Sequence, residues 1–221
     1  MYVLQAVPDF ASLIVHLVLG ELGQPYRLNI LDFDNGDLDS PAHRALNPFG
    51  KIPALQTPDG PIFETAAITL WLADRHQTLA PAQTSPDRAK FLSWFFFNNF
   101  SIHTGMMNLV HPYRAGGEEI ATRVSQSTRN RLIEELTIFD AMIANDKPHW
   151  VSTQQPSILT YHLAVMMRWM KAFPYFPEHA IDSVQFPAIH AILCAMESRP
   201  AAIRAAAEEG LTGTFFSNPE S

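Results

Sequence analysis

The period of the hydrophobic pattern changes partway along this 221-residue chain, and that change limits the folds open to it. Over the first 75 or so residues apolar positions switch repeatedly between alternation and helical spacing. Tyr2 to Ala6 reads as a short strand and Ser12 to Leu22 as a helix stopped by Gly23 and Pro25. Tyr26 to Asp32 alternates again, Asp34-Asn35-Gly36-Asp37 is turn-forming, and Ser40-Pro41 opens a short helix that ends near Asn47-Pro48. Ile52 to Gln56, the Asp59-Gly60 turn and Pro61 to Phe63 predict a hairpin, followed by a helix from Thr65 to Arg75. The expected order is β-α-β-α-β-β-α. From Ser85-Pro86 onward only helical spacing is found, with Pro86 in a first turn and helices over Glu118 to Ala144, Ser157 to Lys171, Phe186 to Ser198 and Pro200 to Glu209. The expectation is an α/β domain over 1–76, a linker, and an all-helical domain over 85–221.

Composition narrows the function. With 22 acidic and 15 basic residues the net charge is −7, and residues 1–80 hold nine acidic side chains against four basic ones. Nucleic acid, which needs clustered Lys and Arg, is not an expected partner. Cys194 is the sole cysteine, which leaves no internal disulfide or cysteine cluster for zinc and fits a reducing compartment. Asp9 and His16 interrupt the apolar N-terminal stretch, which has no basic leader, so neither a signal peptide nor a membrane span is expected and the location is read as cytoplasmic. The nine histidines lack metal-ligand spacing, and no G-x-G-x-x-G, G-x-x-x-x-G-K, G-x-S-x-G, H-E-x-x-H or C-x-x-C occurs. No metal is expected.

One stretch is specific: Asn47-Pro48-Phe49-Gly50-Lys51-Ile52-Pro53-Ala54-Leu55, then Asp59-Gly60, then Ile62-Phe63-Glu64-Thr65-Ala66-Ala67-Ile68. With Arg199-Pro200 near the end, it resembles the cytosolic glutathione transferase family, closest to its bacterial beta-like branch. The resemblance implies a thioredoxin-like domain followed by a helical one, a homodimer, and glutathione as co-substrate. It further implies that the Ile52-Pro53 bond is cis, turning the Ile52 backbone toward the cysteinyl part of glutathione as a short strand would pair. Thr65, at a strand-to-helix junction, would take the γ-glutamyl carboxylate at a helix N-terminus, and Glu64 the ammonium group. Lys51 either reaches the glycyl carboxylate or stays solvated.

The thiol activator is less legible. A free thiol with pKa ~8.5 is only about 3% ionised at pH 7, so the nucleophilic thiolate needs help. The positions where the family most often carries Tyr, Ser or Cys fall on Val7, Phe10 or Ala11. Ser12 is the nearest hydroxyl, although Asp9 to Ser12 also has the spacing of an ordinary capped helix start, and Asp9 as cap would oppose thiol ionisation. Backbone N–H groups of the first turn are the other source. His103, nine residues after Trp94 as in the bacterial relatives, is a second candidate catalytic group. Phe10, Met106 and Met107 are the expected walls of an apolar electrophile pocket, while His103, Met106, Met107 and Val110 equally fit the inner face of a helix. Thr160 stands where the family normally has Asp, which predicts a weakened helix start at Ser157. The expected function is conjugation of glutathione to small hydrophobic electrophiles. Peroxide reduction with glutathione and a non-catalytic binding module are the alternatives.

Overall fold

The computed structural model describes residues 1–220. Four strands, β1 (Tyr2–Ala6), β2 (Tyr26–Ile30), β3 (Ala54–Thr57) and β4 (Gly60–Phe63), form one sheet in the order β2-β1-β3-β4. β1 pairs parallel with β2 and antiparallel with β3, and β4 returns antiparallel on β3 across the Asp59-Gly60 turn. The parallel crossover is α1 (Ser12–Leu22), ended by Gly23 in the left-handed conformation at φ +63°. A short α2 (Pro41–Arg44) is capped by the Ser40 hydroxyl, and α3 (Thr65–His76) follows β4 directly. The β-α-β-α-β-β-α order is the expected one.

The regular elements of the remaining described residues are all helical, chiefly α4 (Arg88–Phe97), α5 (His103–Val110), α6 (Glu118–Asp146), α7 (Ile158–Ala172), α8 (Pro187–Glu197) and α9 (Pro200–Glu209). Two local expectations are corrected. Pro86 lies in the turn before α4, where the Ser85 hydroxyl accepts the Asp87 N–H at 3.2 Å, because the first α-helical bond runs from Phe91 to Asp87. The start at Ser157 is not weakened: Thr160 N–H donates to Ser157 Oγ at 3.2 Å and Ser157 N–H to Thr160 Oγ1 at 2.8 Å. Thr160 Oγ1 also donates to the Ser157 carbonyl at 2.8 Å, a bond that Asp lacks the hydrogen to make.

α1 explains how the two parts hold together. Every residue from Ser12 to Leu19 is buried, because α1 packs on the sheet and α3 on one side and on α7 and α9 on the other. A helix apolar all round is a helix surrounded. Two of its polar residues, His16 and Glu21, are paired across this junction. Glu21 accepts from Tyr161 Oη at 2.7 Å and from Arg199 Nε at 3.0 Å, so the Arg199-Pro200 start of α9 is anchored to α1. Burial alone would raise the Glu21 pKa, yet the hydrogen bonds from Arg199 and Tyr161 hold it below the usual value. Tyr161 titrates far above an ordinary phenol because it is buried and donates to that carboxylate.

Candidate functional site

The segment before β3 is built to present backbone. The Ile52-Pro53 bond is cis. Ladder pairing starts only at Ala54, and among the described residues neither the N–H nor the C=O of Ile52 has a hydrogen-bond partner. The carbonyl just before it is pinned: Lys51 O accepts from Asn47 Nδ2 at 2.8 Å and lies 3.0 Å from His43 Nε2. Gly50 sits at φ +60°, and a Cβ there would stand 3.0 Å from Leu38 O and 3.2 Å from Arg44 Nη2, so a side chain has neither the conformation nor the room. The Asn47 to Pro53 block is thus a brace that leaves Ile52 unpaired. His43 and Asn47, both buried, were absent from the expected site residues. The Lys51 side chain is exposed and free of ion pairs among the described residues.

At the other end of the hairpin Glu64 adopts φ +71°, a left-handed value unusual for a residue with a Cβ and of the kind that gathers at functional sites. It leads into α3 with its carboxylate exposed and, among the described residues, unpaired. The N–H groups of Thr65, Ala66 and Ala67 and the Thr65 hydroxyl have no partner among the described residues, which leaves donors and a helix dipole available to an anion. Behind them the Thr65 carbonyl accepts from Thr69 Oγ1 at 2.9 Å, and that oxygen is 2.9 Å from Nε2 of the fully buried His162 on α7. Burial, aided by the nearby His103, pushes the His162 pKa down to about 3, so the ring is neutral. No motif in the sequence marks His162; only its partner across the junction does.

The start of α1 corrects two expectations. Ser12 is fully buried and its hydroxyl is spent on the loop before it, donating to Val7 O at 2.9 Å and accepting the Val7 N–H at 3.2 Å. Its one hydrogen is committed, so Ser12 is a loop brace with no proton left for a thiolate. Asp9 does not cap α1 either. The residue at the cap is Ala11, without a side-chain bond, and the Asp9 carboxylate is taken by Arg168 at 2.9 and 2.6 Å and Trp169 Nε1 at 3.0 Å. The N–H groups of Ala11 and Ser12 are consequently without a protein acceptor among the described residues.

Phe10 is 40% exposed and lies against Phe33 with centroids 5.3 Å apart, a surface suited to an apolar partner. Met107 is partly exposed, but Met106, expected beside it, is 1% exposed in the core and cannot touch a ligand without repacking. The turn Asn98–Ile102 directly before α5 is π-helical, an interruption often found near functional sites. His103 follows it, half-buried, and burial lowers its pKa, so at neutral pH it is an uncharged imidazole. It offers a hydrogen bond or a base and no positive charge. Among the described residues no group of three or more His, Cys, Asp or Glu is placed to hold a metal, and no helix is long and apolar enough to cross a membrane.

Comparison with known proteins agrees with this geometry. Residues 11–75 match the family described as "Glutathione S-transferase, N-terminal domain". Glutathione S-transferase GstA of Escherichia coli O157:H7 is 28% identical over 213 residues, 92% of this chain and 96% of that protein. The glutathione S-transferase structure from Xylella fastidiosa superposes with a TM-score of 0.79 at 25% identity, over 96% of this chain and 100% of that one. A sphingomonad glutathione S-transferase structure, complexed with glutathione, gives 0.75 at 26% identity over 95% and 100%. With the sheet order, the cis bond before Pro53 and the two open helix starts, these matches show a glutathione S-transferase N-terminal domain over residues 11–75, in a chain that is similar over more than nine-tenths of its length to glutathione S-transferases.

Proposed function

We propose that the protein is a glutathione transferase that adds the glutathione thiolate to small hydrophobic electrophiles. Three unpaired backbone groups support this reading: the Ile52 N–H and C=O, the first amides of α3 and the first amides of α1. In this reading glutathione lies along Ile52 as a short strand. Its γ-glutamyl carboxylate takes the Thr65 N–H and hydroxyl, its ammonium meets Glu64, and its glycyl carboxylate is within reach of Lys51. The sulfur meets the Ala11 and Ser12 N–H groups, since the Ser12 hydroxyl is already engaged. Helix amides and their dipole lower thiol pKa, and the proton released goes to water. The thiolate then forms a C–S bond to an electrophile seated against Phe10 and Met107 as the leaving group departs with the bonding pair. Neutral His103 polarises the electrophile. The same reading takes the protein to work in the cytoplasm as a homodimer.

The engaged Ser12 hydroxyl favours one rival, a binding module that kept the cradle and does no chemistry. Calorimetry with glutathione, an ultraviolet titration of the bound thiol and turnover with an aryl halide distinguish the two. The transferase reading expects micromolar binding, a bound thiol ionised near neutral pH and measurable conjugation. Binding with an unshifted thiol and no turnover leaves the binding module, and no binding removes both.

A further inference from the structure

A buried cluster of charges lies where α9 crosses the start of α1. Glu209, the last residue of α9, is 8% exposed and uses both carboxylate oxygens. Oε2 accepts the Asp9 backbone N–H at 2.8 Å, and Oε1 lies 2.7 Å from His16 Nδ1. One carboxylate therefore grips the β1–α1 loop and the second turn of α1 together, with Ala11 and Ser12 between the two grips. His16 is fully buried and its Nε2 is 3.0 Å from Glu208 Oε2, so only the doubly protonated ring donates to both carboxylates. The Tyr26 ring from β2 packs edge-on against it, with centroids 5.6 Å apart. From α7, Arg168 forks onto the Asp9 carboxylate and also donates to Phe215 O at 3.0 Å, while Trp169 adds its indole N–H to Asp9.

Asp9 sits at φ +56°, a left-handed conformation that Asp adopts more readily than most residues with a Cβ and that its surroundings hold here through both its N–H and its carboxylate. Its place in the sequence shows what those surroundings prevent. Two and three residues ahead of Ala11 and Ser12, a relaxed Asp9 is a helix-capping residue whose carboxylate accepts those same two N–H groups. Such a cap would occupy the donors proposed for the sulfur and put a negative charge beside it.

We propose that Glu209 and Arg168 are positioning residues for the thiol, withholding the Asp9 carboxylate from the α1 amides so that these stay open to glutathione sulfur. This rests on the transferase reading above. The C-terminal helix thereby sets the chemistry at the first helix without touching the substrate.

Glu209→Ala, and the milder Glu209→Asp, whose shorter carboxylate cannot span both grips, test it in the full-length protein. Glutathione affinity is expected to stay within about twofold, because Ile52 and Thr65 are untouched. The bound thiol is expected to titrate at least about one unit higher, with about fivefold less thiolate at neutral pH and a matching fall in kcat at little changed KM. Asp9→Gly in the Glu209→Ala background is expected to restore the thiol, since glycine keeps the left-handed backbone and brings no carboxylate to cap with. A Glu209 variant with an unshifted thiol overturns the proposal, as does a defect that Asp9→Gly leaves unrepaired. If the unmodified protein fails to bind glutathione, the cradle reading falls and this proposal with it. If it binds with a lowered thiol pKa and the Glu209 variants match it, only this proposal falls.

Discussion

His162 on α7 and Thr69 on α3 meet at 2.9 Å across the junction between the helical part and the α/β part, and Thr69 in turn donates to the Thr65 carbonyl at 2.9 Å. A neutral imidazole buried in the helical core thus supports the first turn of the helix whose open amides form one end of the candidate cradle. Its charge state makes that support sensitive to acid.

With a folded pKa of about 3 and an ordinary value near 6.5 when unfolded, His162 binds more protons in the unfolded chain throughout that window. Stability therefore rises with pH there and is lost as pH falls from about 6.5 toward 3. Between pH 7 and pH 5 this group accounts for about 2 kcal/mol. Urea unfolding at the two pH values should show a smaller loss in His162→Gln, which keeps a polar partner for Thr69 and does not titrate.

The Thr65 hydroxyl has no partner among the described residues, so its removal is expected to leave folding alone and weaken ligand binding. Thr65→Val should raise the glutathione Kd by about one order of magnitude, the equivalent of one charge-assisted hydrogen bond of ~1.5 kcal/mol, with a melting temperature near that of the unmodified protein. Calorimetry and a thermal melt on the same sample check both halves.

Ser12→Ala is expected to do the reverse. It strips the Val7 N–H and C=O of a buried partner and should cost about 1–3 kcal/mol of stability. The variant that folds should conjugate glutathione at a rate within a few-fold of the unmodified protein, because the α1 amides remain. A rate reduced a hundredfold in well-folded protein would return Ser12 to the chemistry.

At the start of α7, Thr160→Ala removes both the acceptor for the Ser157 N–H and the donor to the Ser157 carbonyl in a fully buried turn. A loss of about 1–2 kcal/mol in chemical denaturation is expected. Thr160→Asp restores the first bond and not the second, so it should fall between the two.

The sequence by itself determined the order of elements, the end of α1 marked by Gly23, and the place of the candidate cradle from Ile52 to Thr65. These are local matters: a period of apolar residues, a left-handed glycine, a proline at a strand start and the free amides of a helix beginning are written within a few neighbouring residues. Sequence could not decide what became of Ser12 and Asp9, because each had two partners within chemical reach and the choice was made by residues far along the chain. Asp9 reads as a helix cap until Arg168 and Trp169, some 160 positions later, take its carboxylate. Met106 reads as a pocket wall until the packing of α5 against α6 and α7 places it in the core. His162 carries no signal at all, since its meaning is the buried hydroxyl opposite it. Burial and the competition among partners for one polar group are properties of the assembled fold, and the tertiary structure alone set them.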